Sequence, residues 1–355
     1  MRRNCHRYIL LTALLTLAGC AQETEMFPEP SPVYKTPISW SIESEETRAL
    51  ANNNLLQSLC TPLTDGSNES VGVWGDYTKE SDNNVENVKE FIATPLTYIP
   101  GSFNSWEYPG EAKYWETPAV YDFRACYPQR LFTSLMTQMD ATIFQGGPIN
   151  TMVLQEDLLV AATQVDTRTA NLSEPVKLNM QHIFAAVKFK VKAAYGFTPA
   201  VDEAVTSCWM QNNSNGTDLF SPAGYLVHSG NSSPEITWHL YESSSAPMYV
   251  WKHQGVDFGI ENTLYTSNDG MEGEEYTHNN GWLLVVPQTV KAGTLDFCYT
   301  LKNAGSQVFS VSIPSITYEH GKQYTYMLEI RGAEVELRLM IRPWNHLDSS
   351  HDITI

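Results

Sequence analysis

The sequence is poor in charge, and poorest in positive charge. Charged residues make up 17% of 355, where an ordinary soluble domain carries about 25%. Twenty-two Lys and Arg face 40 Asp and Glu, for a formal net charge of −18. Phosphate neutralisation needs clustered Lys and Arg, so a nucleic-acid partner is excluded. Long apolar runs are also missing. After the first twenty residues nothing approaches the ~18 apolar residues of a membrane-spanning helix. There is no G-x-S-x-G, H-E-x-x-H, P-loop or G-x-G-x-x-G, so no motif-borne enzyme chemistry is predicted. No catalytic residue, cofactor or metal site is expected. Asp65, Ser67 and Glu69, spaced by two, offer oxygens of the kind Ca²⁺ takes but lack the twelve-residue EF-hand pattern. What the chain does have is 42% hydrophobic and 11% aromatic residues, which argues against global disorder. Its length predicts about two domains, each able to bury a core.

Arg2, Arg3 and Arg7 precede an apolar run from Ile9 to Ala18. That pattern predicts a secretory signal over residues 1–19. Leu17-Ala18-Gly19-Cys20 resembles the lipobox of bacterial lipoproteins, which implies that Cys20 becomes the new N-terminus and carries palmitate-type acyl chains. Two or more chains give stable anchoring, so the expected location is the outer membrane, facing the cell surface. Residues 20–36 hold Pro28, Pro30 and Pro32 and are predicted to form an extended tether.

Beyond the tether the dominant period is two. Val176, Leu178 and Met180 alternate with polar residues, as do Val187, Phe189 and Val191 with Lys188, Lys190 and Lys192. Similar runs begin at Leu295, Phe309 and Tyr324, and the cleanest is Val335, Leu337, Leu339 and Ile341. Such alternation marks strands with one face buried and one wet. Turn formers such as Asn215-Gly216 and His320-Gly321 separate the runs. Helical signal is limited to 48–60 and 129–140. Many short strands without a βαβ rhythm predict an all-β fold of sandwiches. The domain break is placed at 172/173, giving an N-terminal sandwich over 37–172 and a C-terminal one over 173–355. Cys60, Cys126, Cys208 and Cys298 allow three pairings. Their wide spacing makes no tight framework, and free buried thiols are the default. Trp106, Tyr108, Tyr114 and Trp115 read as a core aromatic cluster or, alternatively, as a sugar-stacking surface.

Several segments, in order, resemble the fimbrillin (Mfa-like) lipoproteins of Bacteroidales. They are Glu46-Thr47-Arg48-Ala49, Val71-Gly72-Val73-Trp74-Gly75, Tyr114-Trp115 and Tyr121 to Pro128. Asp157 to Ala161, His182 to Phe189, Leu283 to Thr289, Gly321 to Tyr326 and Trp344 follow. The resemblance implies two tandem transthyretin-like Greek-key sandwiches and a role as a structural subunit or accessory protein of surface fimbriae. It also implies proteolytic processing between Arg48 and Ala49, loss of a first strand drawn from Ile38, Trp40 and Ile42, and refilling of the groove by a neighbour's strand. The donor candidate is the C-terminal stretch carrying Val335, Leu337, Leu339, Ile341, Ile353 and Ile355. Expected partners are other fimbrial subunits, self or paralogous, the outer membrane through the lipid, and a host glycan or protein. The alternative reading is a monomeric surface lipoprotein that binds a glycan or host protein. Tip, stalk and anchor roles are not separable from these residues.

Overall fold

Alternating apolar residues build strands almost throughout. The computed structural model describes residues 35–44, 55–62, 69–81, 84–101, 105–151, 154, 156–194, 204–210, 221, 223–241, 249–254, 262–266, 282–290, 293–301, 305–331 and 334–344. In chain order the first elements are β1 (Trp40–Ser44), α1 (Leu55–Leu59), β2 (Val71–Ser81), β3 (Asn84–Ile99) and β4 (Ser105–Glu107). Next come β5 (Ala119–Tyr127), α2 (Gln129–Leu135), β6 (Met136–Met139), β7 (Ile143–Gly146), β8 (Ile149–Asn150) and β9 (Leu159–Asp166). Then follow β10 (Val176–His182), β11 (Ala185–Ala193), β12 (Ala204–Met210), β13 (Ala223–Ser229), β14 (Glu235–Leu240), β15 (Tyr249–Gln254) and β16 (Asn262–Thr266). The last are β17 (Leu283–Val285), β18 (Gln288–Val290), β19 (Gly293–Leu301), β20 (Gly305–Ile313), β21 (Ile316–Tyr318), β22 (Lys322–Arg331) and β23 (Glu334–Pro343).

A seven-stranded sheet runs β1-β10-β9-β5-β2-β3-β4, and its two ends, β1 and β4, approach each other. A larger sheet runs β20-β19-β12-β15-β16-β11-β22-β23, with β17 on β11. A third runs β14-β13-β7-β6, with β8 on β13, and β18 pairs with β21. Position 172/173 falls just before β10, which is still part of the first sheet. A division after β10 leaves that sheet whole. The third sheet draws strands from both sides of the division, and Thr36–Ile355 form one compact unit.

The first sheet is covered on both faces. Val73, Phe123 and Ala125 enter one core with Trp40, Phe91, Leu96 and Leu178. Their neighbours Trp74 and Cys126 enter a second core with Phe144, Leu226, Trp282 and Trp344. Strand alternation alone produces this split, since successive side chains point to opposite faces. Gly75 is required where β2 crosses the ring pair: a Cβ there would lie 2.7 Å from Phe123 and 2.8 Å from Phe91. The register of β2 shifts at this residue, a local bulge.

One charged side chain bridges the first and third sheets. Arg124 on β5 is fully buried and donates to the carbonyl oxygens of His228, Thr142 and Gly230 and to Asn231 Oδ1, at 2.8–2.9 Å. Burial lowers its pKa to about 10, so the guanidinium stays charged at neutral pH. His228 beside it is pushed down to about 2 by burial, with Arg124 adding to the shift.

The alternating lysines of β11 differ from the sequence expectation of a wet face. Lys188 and Lys190 are buried, and the Lys188 ammonium sits 4.8 Å from the centre of the Trp282 ring. The reason is position: β11 lies inside its sheet between β16 and β22, and a period of two does not say whether the polar face is covered. Cys60 and Cys126 are free and buried. Trp106 and Trp115 are buried, whereas Tyr114 is exposed, which makes three members of that aromatic set part of the core or its border.

Candidate functional site

Ile38, Trp40 and Ile42 alternate with Ser39, Ser41 and Glu43, so an extended chain puts all three apolar side chains on one face. All three are buried, at 3%, 5% and 6% exposure. Trp40 meets Phe91 and Phe123 edge-on, each with ring centroids 5.2 Å apart. Burying three such side chains contributes of order 5–9 kcal/mol before ordering costs.

β1 is paired along its whole length on one side. It pairs in parallel with β10, Trp40 opposite Val176 through Ser44 opposite Met180. On its other side the Ile38 amide donates to the Lys113 carbonyl at 2.8 Å, and the Trp115 amide to the Thr36 carbonyl at 3.1 Å. β10 in turn pairs with β9 only through Gln181 and His182. Among the described residues, therefore, β1 is the only ladder partner of Val176–Met180. Ile38, Trp40 and Ile42 share one core with Val176, Leu178, Phe91 and Phe123.

The C-terminal strand lies elsewhere. β23 pairs with β22 over its full length, from Lys322 opposite Pro343 to Arg331 opposite Glu334. Leu337 and Leu339 are half-buried, and Ile341 is 52% exposed. β23 ends its sheet, so its apolar residues are only partly covered. The strand is nonetheless tied down. The buried Glu329 carboxylate on β22 lies 3.3 Å from both Lys192 on β11 and Arg338 on β23. Val335 is described by its backbone pairing with Ile330 alone.

Just after β23, Trp344 is buried and its amide donates to the Gly321 carbonyl at 2.8 Å. Its ring stacks on His182, centroids 4.2 Å apart and planes 5° from parallel. His182 Nδ1 lies 2.7 Å from Asp157 Oδ2. The chain thus leaves β23 beside the end of β10, the strand that carries β1. Cys20, Arg48, Ala49, Ile353 and Ile355 lie outside the described residues, as do Asp65 and Ser67. Sequence reasoning missed the Arg124 clamp and the Trp344–His182 stack. A lone Arg inside the apolar run Tyr121 to Tyr127 was the available signal for the first.

Among the described residues no group of three or more His, Cys, Asp and Glu could hold a metal ion. No described helix is long and apolar enough to cross a membrane.

These features define a multi-sheet β protein whose first described strand ends the first sheet with its apolar face buried. The chain belongs to the fimbrillin-like family, whose profile matches residues 47–344. Its fold is similar to that of a fimbrial protein from Bacteroides vulgatus, at 14% identity and a TM-score of 0.51, covering 87% of this chain and 99% of that one. A candidate cell adhesion protein from Bacteroides uniformis aligns at 15% identity and a TM-score of 0.46, over 87% and 98% of the two chains. A fimbrial assembly protein from Parabacteroides distasonis aligns at 8% identity and a TM-score of 0.33, over 77% and 92%. Among curated proteins none matches in sequence.

Proposed function

We propose that this protein is a structural subunit or accessory protein of bacterial surface fimbriae, and that β1 is a removable plug. The observation that supports this reading is that, among the described residues, Val176–Met180 have β1 alone as ladder partner. Cleavage between Arg48 and Ala49 separates β1 from the rest of the chain, leaving it held by the groove only. Its departure leaves unpaired amides and carbonyls beside an apolar slot, and an incoming strand satisfies both.

The donor reading fits best with the residues beyond Trp344. β23 is already paired along its length, so Val335, Leu337, Leu339 and Ile341 form the stem, and Ile353 and Ile355 belong to the part that reaches a neighbour. The partners are other fimbrial subunits. Cys20 anchors the precursor to the outer membrane through its acyl chains, and the proline tether sets it off from the surface. Adhesion to a host glycan or protein completes this reading.

The test is made on the producing cells. Surface extracts probed with an antibody to this chain should show SDS-resistant ladders. Arg48→Ala should leave the unprocessed monomer, and a chain ending at Trp344 should fail to pass its strand onward. Ladders that persist in Arg48→Ala overturn processing at that bond as the trigger.

A further inference from the structure

β1 is itself a seated strand, so its side chains state what the groove accepts. The discriminating position is the middle one. The Trp40 indole touches two rings, Phe91 and Phe123, whose own centroids are 6.1 Å apart. Those walls are braced from behind. Tyr108 meets Phe91 edge-on at 5.5 Å, and Trp115 meets Phe123 edge-on at 6.0 Å. A braced aromatic wall collapses poorly around a smaller side chain, so an aliphatic residue there leaves a cavity. The Trp40 Nε1 has no hydrogen-bond partner among the described residues. The pocket therefore selects ring bulk rather than a polar group. The pattern Ile-x-Trp-x-Ile reads the same in either chain direction, so the selection holds for a strand entering from either end.

This chain's own donor candidates do not carry that pattern. Residues 345–355, Asn-His-Leu-Asp-Ser-Ser-His-Asp-Ile-Thr-Ile, offer Leu347, Ile353 and Ile355 but no Trp, Phe or Tyr. Val335, Leu337, Leu339 and Ile341 are aliphatic too, and their strand is engaged with β22. We infer that the vacated groove is built for a strand from a different polypeptide, bearing an aromatic ring at the Trp40 position with branched aliphatic residues two positions to either side. The tail of a second copy of this chain is the poorer fit. This inference rests on the strand-exchange reading above and names the partner that reading leaves open.

The test uses the full chain cut after Arg48, or after a specific protease site placed there if Arg48 resists. Four fluorescent peptides are offered in excess: Thr36–Ser44, the same peptide with Trp40→Phe, the same with Trp40→Ala, and residues 345–355. Anisotropy reads binding, and intact mass reads loss of the original β1 fragment. Each peptide is also supplied during refolding of the cut chain from urea, which removes slow release of β1 as an obstacle. The parent peptide should bind, the Phe peptide within about tenfold of it, and the Ala peptide about 100-fold more weakly or worse. Residues 345–355 should behave like the Ala peptide. Parent-like binding by the Ala peptide or by residues 345–355 overturns the aromatic selection and leaves strand exchange standing. Failure of every peptide, in both formats, overturns strand exchange itself and the selection with it.

Discussion

Trp40 on β1 packs edge-on against Phe123 on β5, ring centroids 5.2 Å apart at 82°. β1 ends the first sheet and β5 is its middle strand, three places away in the strand order, so this contact measures how far β1 has entered the core. It makes Trp40 the strongest single determinant of β1 seating. Trp40→Ala should destabilise the uncut protein by about 3–5 kcal/mol in urea unfolding. Trp40→Phe keeps a ring in the same place and should cost about a third of that. Equal losses would contradict the account of the pocket.

His228 supplies a pH dependence with a definite sign. Its folded pKa is lowered to about 2 by burial, with Arg124 second among the causes, whereas an unfolded histidine titrates near ~6.5. The unfolded chain therefore binds a proton below about pH 6.5 that the folded chain refuses, and stability falls as the pH drops. The slope from this one residue is about 1.4 kcal/mol per pH unit, beginning near pH 6.5 and continuing toward pH 2. His228→Phe should flatten the stability curve between pH 6.5 and 4.5 relative to the parent, read by urea titrations at each pH.

The Arg124 clamp predicts a large and specific loss. Arg124→Met keeps most of the apolar stem but leaves the carbonyls of His228, Thr142 and Gly230 without this donor. The expected cost is about 3–5 kcal/mol. Hydrogen exchange should localise the loosening to β7 and the β13–β14 hairpin. A uniform change across the first sheet would contradict a bridging role.

Two tyrosines use the same local device with different numbers of bonds. The Glu116 amide donates to the Tyr121 hydroxyl at 2.9 Å, and the Glu319 amide to the Tyr324 hydroxyl at 2.9 Å. Tyr324 also donates to the Thr317 carbonyl. Tyr121→Phe should therefore cost about 1 kcal/mol and Tyr324→Phe about twice that, measured as shifts in the urea midpoint.

The two described thiols should be silent in the native protein. Burial raises the Cys60 pKa to about 12 and that of Cys126 well above the ordinary value. The thiolate is the reactive form, so iodoacetamide at pH 8 should leave both unmodified in native protein and label both in urea. Peptide mass mapping reads each site separately.

The sequence made the strands legible because each alternating run carries its own signal. Val176–Met180, Val187–Val191 and Tyr324–Ile330 fall in β10, β11 and β22, and α1 lies in the described part of 48–60, whereas 129–140 is helix only over Gln129–Leu135 and turns into β6 at Met136–Met139. The buried face of β1 was legible for the same reason, through Ile38, Trp40 and Ile42. Partnering was not. That β13 pairs with β7, or that Arg124 reaches His228 across 104 residues, depends on contacts that no local period encodes. The buried lysines of β11 failed for a related reason, since alternation reports two faces but not what covers the polar one. β23 shows the converse: a clean apolar alternation on a strand at the end of its sheet, where Ile341 stays half exposed.

The most direct test of the plug is native-state hydrogen exchange at Val176–Met180. The amides of this stretch should be protected in the uncut chain. They should lose protection in cut protein from which the β1 fragment has dissociated, as verified by intact mass. Adding the Thr36–Ser44 peptide should restore it. Protection that survives loss of the fragment, or a fragment that never leaves the cut protein even at high dilution, would contradict the claim that β1 is a removable strand.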